Sequence, residues 1–393
     1  MDYLIRRTWA KIDVNAIRHN FEEIKKHLNP KTRILCVLKA DAYGHGAEFL
    51  VREYEKIGAD FFGVSNLDEA LQLRKAGSEK PILIFGYTPS NCAEILAQND
   101  ISQAVFSLEY AKKLQKKCKS EGVKIKAHLK IDTGMSRIGF FAQNPESIQK
   151  SAMEIAEINN MSEIEIEGIF THFSVSDDSV NDKEYTLRQI ENFKAVIEQL
   201  ELRGIHIPIK HCCNSGGILN FPDVQFDMVR AGVVLYGLYP SDETKSKIDL
   251  RPAMQLKTVI SQIKTIPAGT SVSYGRTFVS DRELKVASVA IGYADGYSIK
   301  FSNNSEMLLH GKRVKILGRI CMDQLMLDVT DIEDVKEGDE VTVFGYDSQE
   351  NLSVDELAEK IGTINYEIVC LIGKRVPRIY YEGEDIVGVM SYL

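Results

Sequence analysis

Apolar residues in the first two-thirds of the chain come in short runs separated by amphipathic stretches. Short runs rich in Val, Ile, Leu and Phe and bounded by turn-forming residues read as strands buried on both faces. They fall at residues 33–38, 61–64, 82–85, 104–106, 124–131, 165–171, 207–211 and 228–234, the fourth being the shortest. Between them, residues 47–57, 67–76, 108–120, 145–159 and 184–202 carry apolar side chains at helical spacing. Strands alternating with helices in this way predict the α/β class, with a parallel sheet closed on itself as a (β/α)8 TIM-like barrel.

Beyond Pro240 the pattern changes. Residues 258–266, 283–291, 312–317, 326–329 and 340–344 are strand-like, separated by Gly, Asp and Asn turns, with one helix expected at 353–361. A mostly β C-terminal domain should therefore follow the barrel, and the polar stretch 241–250 is the natural junction. The expected domains are 1–240 and 241–393, with the first ten or so residues joining the β part. A length of 393 residues exceeds what one core usually organises, in keeping with two domains.

Composition narrows the function. Hydrophobic residues make up 44% and charged residues 26%, as in ordinary globular proteins. The net charge of -8 comes from 48 basic and 56 acidic residues, with no Lys/Arg block to neutralise phosphates, which argues against nucleic acid or acidic membranes as partners. The segment from Met1 to Arg7 lacks an apolar signal-peptide core, and no uncharged run approaches the roughly 18–20 residues of a membrane span, so a cytoplasmic protein is expected. The seven cysteines, odd in number and without paired C-x-x-C spacing, read as reduced thiols and not as a zinc site.

Candidate chemistry collects where barrel enzymes keep it, at the C-terminal ends of the strands. The first strand runs into Lys39 and a Gly-rich turn. A lysine in a barrel mouth is expected to be partly desolvated, which favours the neutral amine that forms a Schiff base or accepts a proton from carbon. After the fifth strand comes Lys130-Ile-Asp-Thr-Gly-Met-Ser-Arg137; after the sixth, Thr171-His172-Phe173; after the seventh, His211-Cys-Cys-Asn214-Ser215-Gly-Gly; after the eighth, Arg230-Ala-Gly232-Val233. Two guanidinium groups, imidazoles, a hydroxyl and Gly-flanked backbone amides are the parts that hold a phosphorylated aromatic cofactor. Any one of them alone has a structural reading; their convergence on one rim is what points to a site.

The run Val37-Leu-Lys39-Ala-Asp-Ala-Tyr43-Gly-His-Gly46 resembles the cofactor-lysine signature of alanine racemases, enzymes dependent on pyridoxal 5'-phosphate. The likeness continues through Asp132-Thr-Gly-Met-Ser-Arg137, Gly292-Tyr293-Ala-Asp-Gly296, Gly318-Arg319-Ile-Cys-Met322-Asp323-Gln and Thr363-Ile-Asn-Tyr366-Glu. It covers nearly the whole chain in order, from Thr8-Trp-Ala-Lys-Ile-Asp to Arg375-Val-Pro-Arg378. The resemblance implies that Lys39 carries the cofactor and serves as one catalytic base. Tyr43, Ser215, Tyr366 and the amides of Gly232 and Val233 are implied as phosphate ligands. Asn214 is either a further ligand or support for the loop. His172 is implied to pack on the pyridine ring, although a satisfied core histidine is an equal reading, and Arg230 to face the ring nitrogen.

Racemisation needs a second acid/base on the far side of Cα. The resemblance implies Tyr274 for that role, reaching from the partner subunit of a homodimer with shared sites, as do Tyr293 and Met322. Arg137 is implied as a ligand of the substrate carboxylate. Lys130 aligns with a lysine that some members carry as a carbamate. His211, Asp323 and Arg319 are expected outside the first layer of contacts, with Asp178 beside Arg319 at an entrance; surface ion pairs are the alternative for the last three. The implied activity is interconversion of L- and D-alanine, supplying D-alanine for peptidoglycan. A racemase of serine or another amino acid, a decarboxylase on a similar scaffold and a non-catalytic cofactor carrier remain open. Ser136 departs from the family pattern, where Gly or Asn is common, and so does the Cys212-Cys213 pair.

Overall fold

The computed structural model describes residues 7–178 and 180–392. The leader-free reading of the N-terminus falls mostly on residues 1–6, outside the described residues. Contacts divide the chain into two compact units. One comprises Arg18–Ala42 and Ala47–Arg251; the other comprises residues 7–17, Tyr43–Gly46 and the chain from Pro252 onward.

The first unit is a nearly closed parallel barrel. Its strands lie in the order Met228–Ala231, Arg33–Val37, Phe61–Val64, Ile82–Ile84, Ile101–Val105, Ile125–Asp132, Ile164–Phe170, Ile209–His211. The gap between the last and first of these is bridged by Asp227 N donating to Lys210 O at 3.1 Å and Arg230 N to Cys213 O at 2.9 Å rather than by a regular ladder. Strand residues are buried on both faces, which is why they read as continuous apolar runs and not as alternation. Helices Ala47–Ile57, Leu67–Lys75, Leu108–Glu121, Pro145–Asn159 and Lys183–Glu201 cover the outside. Pro145–Asn159 starts at a reciprocal Asn144–Ser147 cap with Pro at its first position, and Leu108–Glu121 stops at Gly122 in the left-handed region. The last strand ends three residues sooner than its apolar run, because the chain turns at Gly232 and Val233–Tyr236 winds into a 3-10 turn.

The second unit is built on a ten-stranded sheet. Thr8–Asp13 lies inside it, antiparallel to Met254–Ile266 with Thr8 opposite Thr258, and parallel to Arg378–Glu382. Sequence periodicity does not reveal this strand, whose partners lie some 240 and 370 positions away.

Arg378 ties this unit together. It is 1% exposed, and its guanidinium donates to the carbonyls of Gly44 at 2.9 Å, Ile372 at 2.8 Å, Gly373 at 2.8 Å and Val376 at 2.5 Å. Tyr380 Oη donates to His45 O at 3.0 Å. The segment Tyr43–Gly46 is thus anchored by side chains from a strand more than 330 positions away. Gly44 has φ 79°, and a Cβ there would stand 2.2 Å from Val369 O, so only glycine fits. Arg378→Met removes the guanidinium donor from all four carbonyls, of which Gly373 O keeps another, from Val376 N. It is expected to lower unfolding free energy by about 3 kcal/mol or more, and an unchanged urea midpoint would refute this.

Candidate functional site

Lys39 stands just past the end of the first barrel strand, and the structure places it exposed. Desolvation of this lysine, expected from its position in the mouth, is therefore not found within one chain. It lies beyond the last ladder residue, on the rim rather than inside the barrel.

The four residues after it, Ala40, Asp41, Ala42 and Tyr43, all have left-handed φ, of 51°, 56°, 55° and 52°. For residues with a Cβ this conformation costs roughly 1–2 kcal/mol each. Surrounding bonds hold the turn: Ala40 N donates to Glu69 Oε1 at 2.8 Å, Ala42 N to Leu38 O at 2.9 Å, and Ala47 N to Asp41 Oδ1 at 2.8 Å. Strain maintained so deliberately is a mark of functional sites. Glu69 has no local signal in the sequence; it becomes visible only when its helix packs beside the turn.

Across the rim, Arg230 is 3% exposed. Its Nη2 donates to Thr171 O at 2.8 Å and Cys212 O at 2.9 Å and approaches His172 Nδ1 at 3.3 Å, while Nη1 lies 3.1 Å from His211 Nδ1. These partners are neutral carbonyls and imidazoles. Burial pushes the Arg230 guanidinium down to about 10, so it keeps its charge at neutral pH. Burial, reinforced by the Arg230 charge, holds His172 and His211 well below the ordinary histidine range.

Lys130 is 3% exposed and its Nζ is buried with no hydrogen-bond partner, 4.9 Å from the centre of the Phe170 ring. Burial and the Arg230 and Arg137 charges push its amine well below the usual lysine range. His128, Lys130 and Asp132 alternate along one strand and so share its face. Asp132 Oδ1 accepts from Gly134 N at 3.1 Å and Ser136 N at 2.9 Å, shaping the loop that presents the exposed Arg137. Ser136 has φ 53°, which explains why Gly or Asn suits this position; serine fits at some strain.

Ser215 Oγ accepts from Gly232 N at 3.0 Å, bringing the loops after the last two strands together, with Val233 fully buried beside them. Asn214 caps the short helix Ser215–Asn220, its Oδ1 accepting from Gly217 N at 2.9 Å and Ser176 Oγ at 2.6 Å. Its carbonyl oxygen therefore supports the loop. A Cβ on Gly216 would stand 2.8 Å from Asp177 N, so the glycine lets two loops meet. Cys212 and Cys213 are buried thiols that both bond Val224 O, at 3.1 and 3.4 Å.

In the β unit, Tyr274, Tyr293 and Met322 are 71%, 43% and 52% exposed. Tyr293 N donates to Cys321 O and Ala294 N to Met322 O, both at 3.0 Å, which locks those two loops together. Ser273, adjacent to Tyr274, bonds Arg319 O at 2.5 Å and lies 3.4 Å from Cys321 Sγ. Tyr274 and Cys321 line one cavity of about 510 Å³ with Ser273 and Met326. Near Tyr274, Arg276 bonds Ser271 Oγ at 3.3 Å, and the Arg319 guanidinium lies 3.2 Å from where a Gly275 Cβ would be. Asp323 is an exposed carboxylate paired with Arg375 at 2.8 Å, which is the surface-pair arrangement. Asp178 is occupied by the amides of Val180 and Asn181. The Tyr43 and Tyr366 ring centres lie 6.1 Å apart with the rings tilted by 54°, and burial pushes the Tyr43 hydroxyl far above its usual range.

Comparison with known proteins decides between the families. The model of the alanine racemase N-terminal domain matches residues 12–240, and that of the alanine racemase C-terminal domain matches residues 253–380. The chain belongs to the alanine racemase family. An alanine racemase of Methanococcus maripaludis is 47% identical over 95% of this chain and 98% of its own. The structure of the Clostridium difficile 630 alanine racemase superposes with a TM-score of 0.94 at 41% identity, covering 100% of both chains. That of the Bartonella henselae alanine racemase, with covalently bound pyridoxal phosphate, gives 0.84 at 30% identity over 95% of this chain and 99% of that one. Relatives that match both units over their full length favour neither a decarboxylase nor a barrel-only carrier.

Three imidazoles of this alanine racemase family member, two fully buried and His172 partly so, have a consequence for acid stability. His128, His172 and His211 are held below the ordinary histidine value of about 6.5, burial being the largest cause for each. Below that pH the unfolded chain takes up protons that the native imidazoles refuse, so stability falls as pH drops. The slope is about 1.4 kcal/mol per pH unit for each such histidine. Urea midpoints should decline steeply from pH 7 to 5.5, and a flat profile would contradict neutral imidazoles.

Proposed function

We propose that this protein interconverts L- and D-alanine, using pyridoxal 5'-phosphate carried on Lys39. The observation that carries this reading is the strained, externally clamped turn that starts at Lys39, on the same rim as a buried guanidinium bonded only to neutral partners. The residues of the barrel fit such a group. Ser215 Oγ accepts from Gly232 N and so keeps its own O–H, which with the Val233 amide would supply donors for a phosphate. Arg230 would face the ring nitrogen and His172 the ring. When bound, the cofactor supplies an electron-withdrawing ring that acidifies the Cα–H of the substrate.

The chain's own groups do the rest. Arg230 stays protonated, so it donates a hydrogen bond without giving up its proton. Lys39 Nζ holds or releases a proton on one face of Cα, and Tyr274 Oη serves the other face. Arg137 offers a planar donor pair to the substrate carboxylate, with Met322 and Tyr293 limiting the side chain to a small one. The exposure of Tyr274, Tyr293 and Met322 in a single chain suits residues completed by a second copy, and a homodimer is the assembly this reading requires.

Lys130 fits a further role. A buried amine without a partner, whose proton affinity burial lowers, is disposed to add carbon dioxide with release of a proton, and the resulting carbamate would be an anion able to orient Arg137. Turnover of alanine, serine and lysine by the cofactor-loaded protein, followed by chiral chromatography in both directions, tests the proposal. Alanine should be fastest, and a protein that binds the cofactor but converts none of the three sinks the reading. In the same protein, 13C-bicarbonate should give a carbamate signal that is absent from Lys130→Ala.

A further inference from the structure

Four side chains form an unbroken file of hydrogen bonds through the inside of the barrel. His128 Nε2 lies 3.2 Å from Glu167 Oε2, His128 Nδ1 lies 2.9 Å from His211 Nε2, and His211 Nδ1 lies 3.1 Å from Arg230 Nη1. Ser102 Oγ donates to the same Glu167 oxygen at 2.7 Å. Both imidazoles are fully buried, while Glu167, at the far end from Arg230, retains 19% side-chain exposure.

The two ends of the file can each play one part only. A guanidinium donates and never accepts; an ionised carboxylate accepts and never donates. Burial alone would raise the Glu167 carboxyl, but its bonds to His128 and Ser102 outweigh that and bring it below the ordinary range. A neutral imidazole has one N–H and one lone pair. Starting from Arg230, His211 must accept the guanidinium hydrogen bond on a bare Nδ1 and so carry its own hydrogen on Nε2. That hydrogen points at a bare His128 Nδ1, which leaves His128 with Nε2–H directed at Glu167. Starting from Glu167 and running the other way gives the same two tautomers.

We propose that Glu167 is a positioning residue that, through His128, holds His211 in the tautomer whose Nδ1 offers a lone pair to Arg230. With an apolar side chain at 167, the Nε2–H of His128 has no acceptor. The tautomers are then held from the Arg230 end alone, and the alternative pair with both hydrogens on Nδ1, in which His211 points a donor at Arg230, gains population. In that pair Arg230 loses one of the bonds that fix its plane, although no residue within contact of it has changed. The catalytic consequence rests on the function proposed above; the tautomers do not.

The test uses the full chain carrying 15N-labelled histidine. Long-range 1H–15N spectra should show His128 and His211 neutral with the hydrogen on Nε2. In Glu167→Met, His211 should shift to the Nδ1–H form or a mixture, and kcat of the cofactor-loaded enzyme should fall about tenfold, as is typical for outer hydrogen-bond partners, with KM little changed. Glu167→Gln keeps a carbonyl acceptor and should restore both the tautomer and most of kcat. Nδ1–H or a doubly protonated ring at His211 in the unaltered protein overturns the proposal, and that measurement stands even if Glu167→Met does not fold. Unaltered tautomers and kcat in Glu167→Met overturn it equally. A chain with the expected tautomers but no racemase activity counts against the function alone.

Discussion

Lys39→Ala is expected to lose alanine interconversion in both directions, because on the proposed reading the variant lacks at once the amine that carries the cofactor and the base on one face of Cα. General-base removal alone is worth about 10²–10⁴ in rate, and loss of covalent attachment adds to it, so activity should fall at least to the low end of that range. The fold should be spared. The Lys39 side chain is exposed, and the turn that follows is held through backbone atoms and through Asp41 and Glu69. The check is chiral chromatography alongside a urea melt and an absorbance spectrum of the cofactor-loaded protein. A variant with more than a tenth of normal turnover would remove Lys39 from the mechanism. One that unfolds at lower urea would show that its role is structural.

Tyr274→Phe is the second large effect. The substitution removes one oxygen from a residue that is 71% exposed in the single chain, so stability should hardly change. Racemisation should nevertheless fall by about 10²–10⁴, because under the proposed two-base roles only one face of Cα would retain a group that exchanges protons. The discriminating readout is solvent deuterium. With Lys39 intact, the Cα hydrogen of one enantiomer should still exchange with D2O while inversion is lost. If both enantiomers exchange as in the unaltered protein, a different group serves the second face. If neither does, Tyr274 acts on binding and not as the second acid/base.

Much of the barrel was legible from periodicity alone because its strands are buried on both faces. Helices 47–57 and 145–159 coincide with Ala47–Ile57 and Pro145–Asn159, where helical spacing and end signals agree. What escaped were elements stabilised by distant partners. Thr8–Asp13 sits between strands that follow it by hundreds of residues, and Arg378–Glu382 is its neighbour. The rim residues are legible one by one, since each follows an apolar run. The file behind them is less so: His128 shares a strand face with Lys130, yet nothing local connects it to Glu167 or His211.

By itself, then, the sequence determined the alternation of strands and helices, the change to β structure after Pro240, the position of Lys39 at a strand end, and the ordered motifs that mark the alanine racemase family. These depend on periodicity and on residue types at short spacing, which a linear chain displays directly. Only the tertiary structure decided that residues 40–43 turn left-handed under a Glu69 clamp, that the Lys130 amine is buried without a partner, that Lys39 is exposed, and that Arg230 ends a file of imidazoles beginning at a carboxylate. Each of these depends on groups dozens of residues apart being brought within a few ångströms. The direction of a hydrogen bond or the desolvation of an amine exists only once the fold has set those distances.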